Sequence, residues 1–398
     1  MLLFKCRVLL ATAALMPLFA AEPEGRRDQG DSKLGTFVVV GDSLSAGFQN
    51  FSLNATGQPQ GFAAVVASQA DANLPLPLLS YPGIPPALML TSSGQIVRAA
   101  GIGARQNPGV QAYNLSVPGF TVANALSYPF PGSPTINPID ALSDLILATP
   151  GTAVPGCGPI PTGSGLIVSE VVCATQLKPD TILVDIGNND ALQALTFGLP
   201  PTPTAKFAAE YGVLLAGLAA THAKLVVANI PDIADVPFLI PVPAFKAACP
   251  SPAPALPSTV TNADFVVANV ANPAAVSLDV CTNYAVRSAA LVGQAQRSVT
   301  AYNAIIAQEA RLAGATVVDF NALFAGISQK GYQACGQKLT TAFLGGLFSL
   351  DGIHPTNTGY AILANEVIKT TNRQLHTGIP PISIEQVAKA DPLVFGCH

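Results

Sequence analysis

The chain contains no tryptophan, and only 11% of its 398 residues are charged. The missing indoles argue against a site built on sugar stacking, because flat aromatic faces are what such sites present. No basic run occurs and the formal net charge is −4, so nothing provides the positive surface that a nucleic-acid partner requires. There is no Cys-x-x-Cys pair, and no histidine stands at zinc-ligand spacing from a cysteine except His398 beside Cys397. A metal centre is therefore disfavoured. The sequence also lacks any Gly-x-Ser-x-Gly elbow, which sets aside one common way of exposing a serine on an α/β sheet. There are only four histidines, His222, His354, His376 and His398, and no internal repeat.

What is present begins at the N-terminus. Lys5 and Arg7 precede the apolar stretch Val8–Ala20, and a polar segment follows. About 13 apolar residues are short for a bilayer span but suit the core of a signal peptide. Residues 1–21 are read as that leader, with an uncleaved membrane anchor as the alternative. The outer small position of the cleavage site is poorly met, since Leu18 or Phe19 would occupy it. Loss of the leader removes Lys5 and Arg7 and moves the charge to about −6. It also removes Cys6 and leaves an even set: Cys157, Cys173, Cys249, Cys281, Cys335 and Cys397. Disulfides in an oxidising compartment are the expected reading, and pairing of sequence neighbours gives 157–173, 249–281 and 335–397. The protein is expected to be exported: secreted, periplasmic or at the cell surface.

With 49% hydrophobic residues the chain can build a large core. Short β-branched runs recur at Phe37–Val40, Ala112–Val117, Thr181–Gly187, Ala223–Ile230 and Ala315–Phe320. Helical patterns lie between and after them, at Pro203–Ala223, Tyr284–Ala315 and from Thr356 onward. That alternation predicts an α/β fold with a mostly parallel sheet covered on both faces. Ligands then bind beyond the carboxyl ends of the strands. Residues 33–398 read as a single domain with insertions at about 48–108, 126–178 and 232–283. The first holds a proline-rich run, the second a Pro/Gly/Cys loop, and the third is rich in Pro, Ala and Val; they either wall an apolar ligand or pack on the domain.

The first strand ends at Gly41-Asp42-Ser43, either an ordinary polar turn or a mount for a reactive hydroxyl. A serine nucleophile needs a base. His222 near a helix end, His376 after one, and His398 at the terminus read as structural or solvent-facing. His354 stands three residues after Asp351 and directly before Pro355. A turn through Asp351-Gly352-Ile353-His354 lets the carboxylate reach one imidazole nitrogen and leaves the other as an acceptor. On its own, that segment could equally be an aspartate capping the next helix, which Pro355 is suited to begin. Gly119 and Asn189 follow two of the other strands. The backbone N–H groups of Ser43 and Gly119, with the Asn189 amide, would make three donors for an oxyanion.

"GDSLSAG" resembles the first conserved block of the GDSL lipases and acylhydrolases, within the SGNH hydrolase superfamily. "NLSVPG", ending in Gly119, is similar to the second block, "GNND" with Asn189 to the third, and "DGIHP" to the Asp-x-x-His block. The four occur in family order over about Phe37 to Asn372. The resemblance implies a three-layer αβα sandwich with a flavodoxin-like, mostly parallel sheet. It also implies Ser43 as nucleophile, His354 as general base, Asp351 as its orienting acid, and an oxyanion hole of Ser43, Gly119 and Asn189. Asp42 and Asp190 then tie loops together. No cofactor and no metal is implied, nor an obligate protein partner. The expected activity is cleavage of small-molecule or lipid carboxylic esters through an acyl-enzyme, with transient contact at lipid surfaces where the ester is a lipid. Alternatives with the same triad are acyl transfer to another acceptor and carbohydrate deacetylation; a non-catalytic binding protein would be expected to have lost a block.

Overall fold

The computed structural model describes residues 33–130, 138–147, 160–162, 165–249, 256–269 and 280–397. The leader and Cys157 lie outside them. Four strands form the central sheet: Phe37–Gly41, Thr181–Asp185, Lys224–Ala228 and Thr316–Val318, adjacent in that order and all parallel. Alternate side chains of a strand point to opposite faces, and both faces here are apolar. Val38, Val40, Ile182, Val184, Leu225 and Val227 belong to one core with helices Thr204–Ala219 and Ala289–Leu312. Phe37, Val39, Leu183, Val226 and Val318 belong to a second, with helices Phe62–Gln69 and Asn357–Leu375. This is the expected α/β sandwich, helices on both sides of a parallel sheet.

The expected second strand is reduced. Residues 113–117 run parallel beside the first strand, where Leu115 N–H donates to Val39 (2.9 Å) and Val117 N–H to Gly41 (3.2 Å). Only the bridge at Val39 and Asn114 is regular. The Asn114 side chain turns inward and donates to the Ser45 carbonyl (2.9 Å), and the Gly41 N–H is taken by Glu170 Oε2 (2.8 Å) instead of by this segment. Counting this segment second gives the spatial order 2-1-3-4-5, the flavodoxin-like arrangement. Its chain reversal falls between the first and third strands, where a crevice opens.

Two sequence boundaries require correction. The helical pattern expected from Tyr284 begins only at Ala289; Tyr284–Arg287 is a strand paired antiparallel with Phe265–Ala268. Ser288 separates the two, its hydroxyl accepting from Leu291 N–H (3.2 Å) as an N-cap. The helix expected from Thr356 starts at Asn357, capped by the Thr356 hydroxyl, which accepts from Gly359 N–H, and is followed by a further short helix, Ile384–Ala390. Pro355 therefore precedes the helix, and Asp351 does not cap it. The long segments also carry structure of their own: a hairpin of Leu88–Leu90 with Ile96–Arg98, a three-stranded sheet around Gly165–Val168, and a third around Phe265–Ala268. Cys249–Cys281 and Cys335–Cys397 are disulfide-bonded, as sequence neighbours were expected to be. Among the described residues, no helix is long and apolar enough to cross a membrane.

Candidate active site

At the end of the first strand the chain turns into the one-turn helix Ser43–Ala46. Asp42 is its N-cap, Oδ1 accepting from Leu44 N–H at 3.1 Å. That cap leaves the Ser43 N–H, an orphan donor at the helix start, with no acceptor among the described residues. Gly119 N–H likewise has none there. The Asn189 amide nitrogen donates one hydrogen to the Phe120 carbonyl at 2.9 Å. An amide nitrogen carries two hydrogens, so one remains for a further acceptor.

From the other end of the chain, the loop before helix Asn357–Leu375 brings in the imidazole. His354 Nε2 is 2.8 Å from Ser43 Oγ, and His354 Nδ1 is 3.1 Å from Asp351 Oδ2. All three side chains are buried. Asp351 Oδ1 accepts from the Ile353 and His354 N–H groups, both at 2.8 Å, and Oδ2 from Phe51 N–H at 2.7 Å. Burial pushes the Asp351 carboxyl up, but the facing His354 and these donors outweigh it and hold the group below the usual carboxylate value. A carboxylate fixed in its charged form beside Nδ1 favours the tautomer with hydrogen on Nδ1, which leaves Nε2 as an acceptor towards the serine.

The expected ties between loops are visible. Asn188 Nδ2 donates to Asp42 Oδ2 (3.0 Å), joining the first and third strand ends. Asp190 Oδ2 accepts from Val122 N–H (3.0 Å), joining the third strand end to the Gly119 loop. Burial pushes both Asp42 and Asp190 up to about 6. The other histidines stand apart: His222 lies in a turn, His376 closes the last long helix, and His398 is outside the described residues.

Sequence reasoning missed two supports. The first is Asn50-Phe51, both with positive φ. Asn50 Oδ1 accepts from Leu350 N–H (3.0 Å), Asn50 N–H donates to Ser349 Oγ (3.0 Å), and Phe51 N–H meets Asp351. This stretch clamps the Asp351 loop to the segment that carries Ser43, and no motif marks it. The second is Glu170, completely buried. Oε2 accepts from Gly41 N–H (2.8 Å) and Oε1 from Val117 N–H (3.2 Å), so one carboxyl holds both strand ends. A single acidic residue in an apolar stretch was the only available signal.

Beside Ser43 and His354 lies an open cleft. Leu44, Leu192, Ile233, Val236, Phe324 and Phe348 give it an apolar wall. Among the described residues, no group of three His, Cys, Asp or Glu side chains could hold a metal ion.

Against known proteins, a search of curated proteins finds no match. Among solved structures the chain is similar to Axe2, an acetylxylan esterase from Geobacillus stearothermophilus, at 14% identity, 88% of this chain, 99% of that one and a TM-score of 0.39. It is also similar to the psychrotrophic esterase EstA from Pseudoalteromonas sp., at 13%, 86%, 98% and 0.36. A third is LAE5, an alpha/beta hydrolase enzyme from the Lake Arreo metagenome, at 14%, 85%, 94% and 0.38. Likenesses this distant carry no argument about substrate. The model of the family described as GDSL-like Lipase/Acylhydrolase matches residues 37–367, from the strand that leads to Ser43 to the helix that follows His354. The chain belongs to that family and is an ester-hydrolysing serine hydrolase.

Proposed function

We propose that the protein is an exported hydrolase of carboxylic acyl esters that works through a covalent acyl-enzyme on Ser43. The observation that carries this reading is the continuous contact from Ser43 Oγ through the His354 ring to Asp351, 2.8 Å and 3.1 Å long, between residues 311 positions apart. Ser43 Oγ attacks the ester carbonyl while His354 Nε2 takes its proton. The negative charge on the former carbonyl oxygen is met by the N–H groups of Ser43 and Gly119 and the free amide hydrogen of Asn189. Collapse expels the alcohol, which receives the proton from Nε2. Water then attacks the acyl-enzyme with His354 again as base, releasing the acid and restoring the serine hydroxyl. Asp351 stabilises the imidazolium and fixes its orientation.

The apolar cleft supports an acyl or lipid ester as substrate, with residues 33–398 acting as one hydrolase domain. Export rests on the leader pattern of residues 1–21 and on the two disulfides. The test is hydrolysis of p-nitrophenyl esters. The wild-type chain should turn them over, and Ser43→Ala and His354→Ala should each lose roughly 10³-fold or more in kcat while keeping the wild-type melting curve. Comparable turnover in either folded variant would remove the triad from the account.

A further inference from the structure

A second, small apolar recess adjoins the cleft, between helices Phe320–Lys330 and Asn357–Leu375. Ile327, Leu347, Ile362 and Leu363 line it, and the Thr341 hydroxyl is the polar side-chain group among its lining residues. Cleft and recess share two residues, Phe324 and Phe348. Their ring centroids are 6.0 Å apart at an interplanar angle of 43°. The chain itself passes from one space to the other, since His354 borders the cleft and the next residue, Pro355, borders the recess. The two rings are thus a partition between a space that touches the reactive pair and a second apolar space.

We propose that a straight aliphatic chain of the ester occupies the cleft and runs toward the recess, and that Phe324 sets how long that chain can be. This rests on the ester-hydrolase reading above and deepens it. The chemistry of the wall selects the chain. Asp42 already accepts from Leu44 N–H and Asn188, and Asp232 from Ala234 N–H and Gln296. Beyond Ser43 and His354, the wall therefore offers mainly carbon surface, and each methylene placed on it is worth about a fourfold gain in kcat/KM. The two rings are not equivalent. Phe348 is buried and pinned by an antiparallel bridge to Pro355 in the loop that carries Asp351 and His354. Phe324 is half-buried and sits on helix Phe320–Lys330, outside the triad loop. Phe324 is the ring that can be removed or moved without disturbing the triad loop.

Either side of the ester could carry the chain, and two substrate series separate them: p-nitrophenyl esters from acetyl to palmitoyl, and acetate esters of straight-chain alcohols from ethanol to dodecanol. The readout is the ratio of kcat/KM for the twelve-carbon member to that for the four-carbon member. Phe324→Ala, which joins the two spaces, should raise this ratio about tenfold in one series. Ile327→Trp, which fills the recess from a residue that lines it and not the cleft, should lower it by a similar factor in the same series. The responding series tells whether acyl group or alcohol lies there. Ratios within twofold of wild type for both folded variants in both series would overturn the proposal while leaving hydrolysis intact. Absence of wild-type turnover on every ester would instead overturn the hydrolase reading, and this inference with it.

Discussion

Three carboxyl groups, Asp42, Asp185 and Glu170, are buried around the strand ends beside Ser43. Burial drives all three upward, and the neighbouring charge of Asp42 adds to the effect on Asp185 and Glu170. Asp185 Oδ2 has no hydrogen-bond partner among the described residues, and Asn188 and Ser45 do not offset the burial. Its folded form holds its proton to higher pH than the unfolded chain does, so its contribution to stability falls as pH rises from the ordinary aspartate value towards the folded one. Asp185→Asn has no proton to hold. Urea unfolding at pH 5, 6 and 7 should show the variant gaining on wild type by up to about 1.4 kcal/mol per pH unit; a difference that does not change with pH would contradict this. Glu170→Gln makes a different prediction. A carboxyl can accept from both Gly41 and Val117, whereas an amide replaces one acceptor with a donor facing a backbone N–H. The strand ends that deliver Ser43 and Gly119 should part slightly, lowering kcat several-fold more than it changes KM; a variant with only a lower melting temperature would show Glu170 to be structural alone. Asp351 and His354 stood out because they are three residues apart, and Ser43 because its block and theirs occur in family order. Glu170 and Asn50 were not, because their partners are backbone groups on distant segments, and no residue pattern records a backbone partner.

At the scale of elements, the strand ends explain why small residues stand beside the reactive ones. A Cβ on Gly41 would lie 2.1 Å from Ser45 Oγ and 2.5 Å from the Asp185 carbonyl oxygen, so the first strand can approach the third only as glycine. Gly119 has φ +90°, and a Cβ there would meet Ile139 at 2.9 Å. Gly119→Ala should cost roughly 1–2 kcal/mol in stability, the usual penalty for left-handed backbone in an L-residue. It should also reduce kcat by about tenfold as the N–H shifts from the oxyanion; unchanged kcat in the folded variant would exclude that N–H from the site. The core strands were legible as β-branched runs because both faces are buried. Tyr284–Arg287 was read into a helix because four residues ahead of a long amphipathic pattern do not establish a period of their own. The small sheets of the long segments were hidden by proline, which sits at their edges, as at Pro129, Pro161 and Pro241.

At the scale of the molecule, the 2-1-3-4-5 order brings residue 43 and residue 354 together, since the crevice at the chain reversal collects the ends of strands remote in sequence. The alternation of elements predicted that sheet; it did not reveal the apolar partition at Phe324, which depends on how a helix and a loop meet. The C-terminal region is held to the hairpin Tyr332–Ala334 and Gln337–Leu339 by Cys335–Cys397, a closure of 62 residues. By chain entropy a loop of that length contributes up to about 4 kcal/mol. The double variant Cys335→Ser, Cys397→Ser should therefore unfold at markedly lower urea concentration. A midpoint equal to that of wild type would mean that the bridge constrains nothing the core does not already hold.

The central claim is that folding makes one hydroxyl, Ser43, a nucleophile through His354. A fluorophosphonate tests it directly: attack by Oγ forms a serine–phosphorus bond and expels fluoride. Peptide mass spectrometry should find the phosphonyl adduct on Ser43 in wild type and almost none in His354→Ala. An adduct on another residue, or equal labelling of Ser43 without the imidazole, would contradict the account.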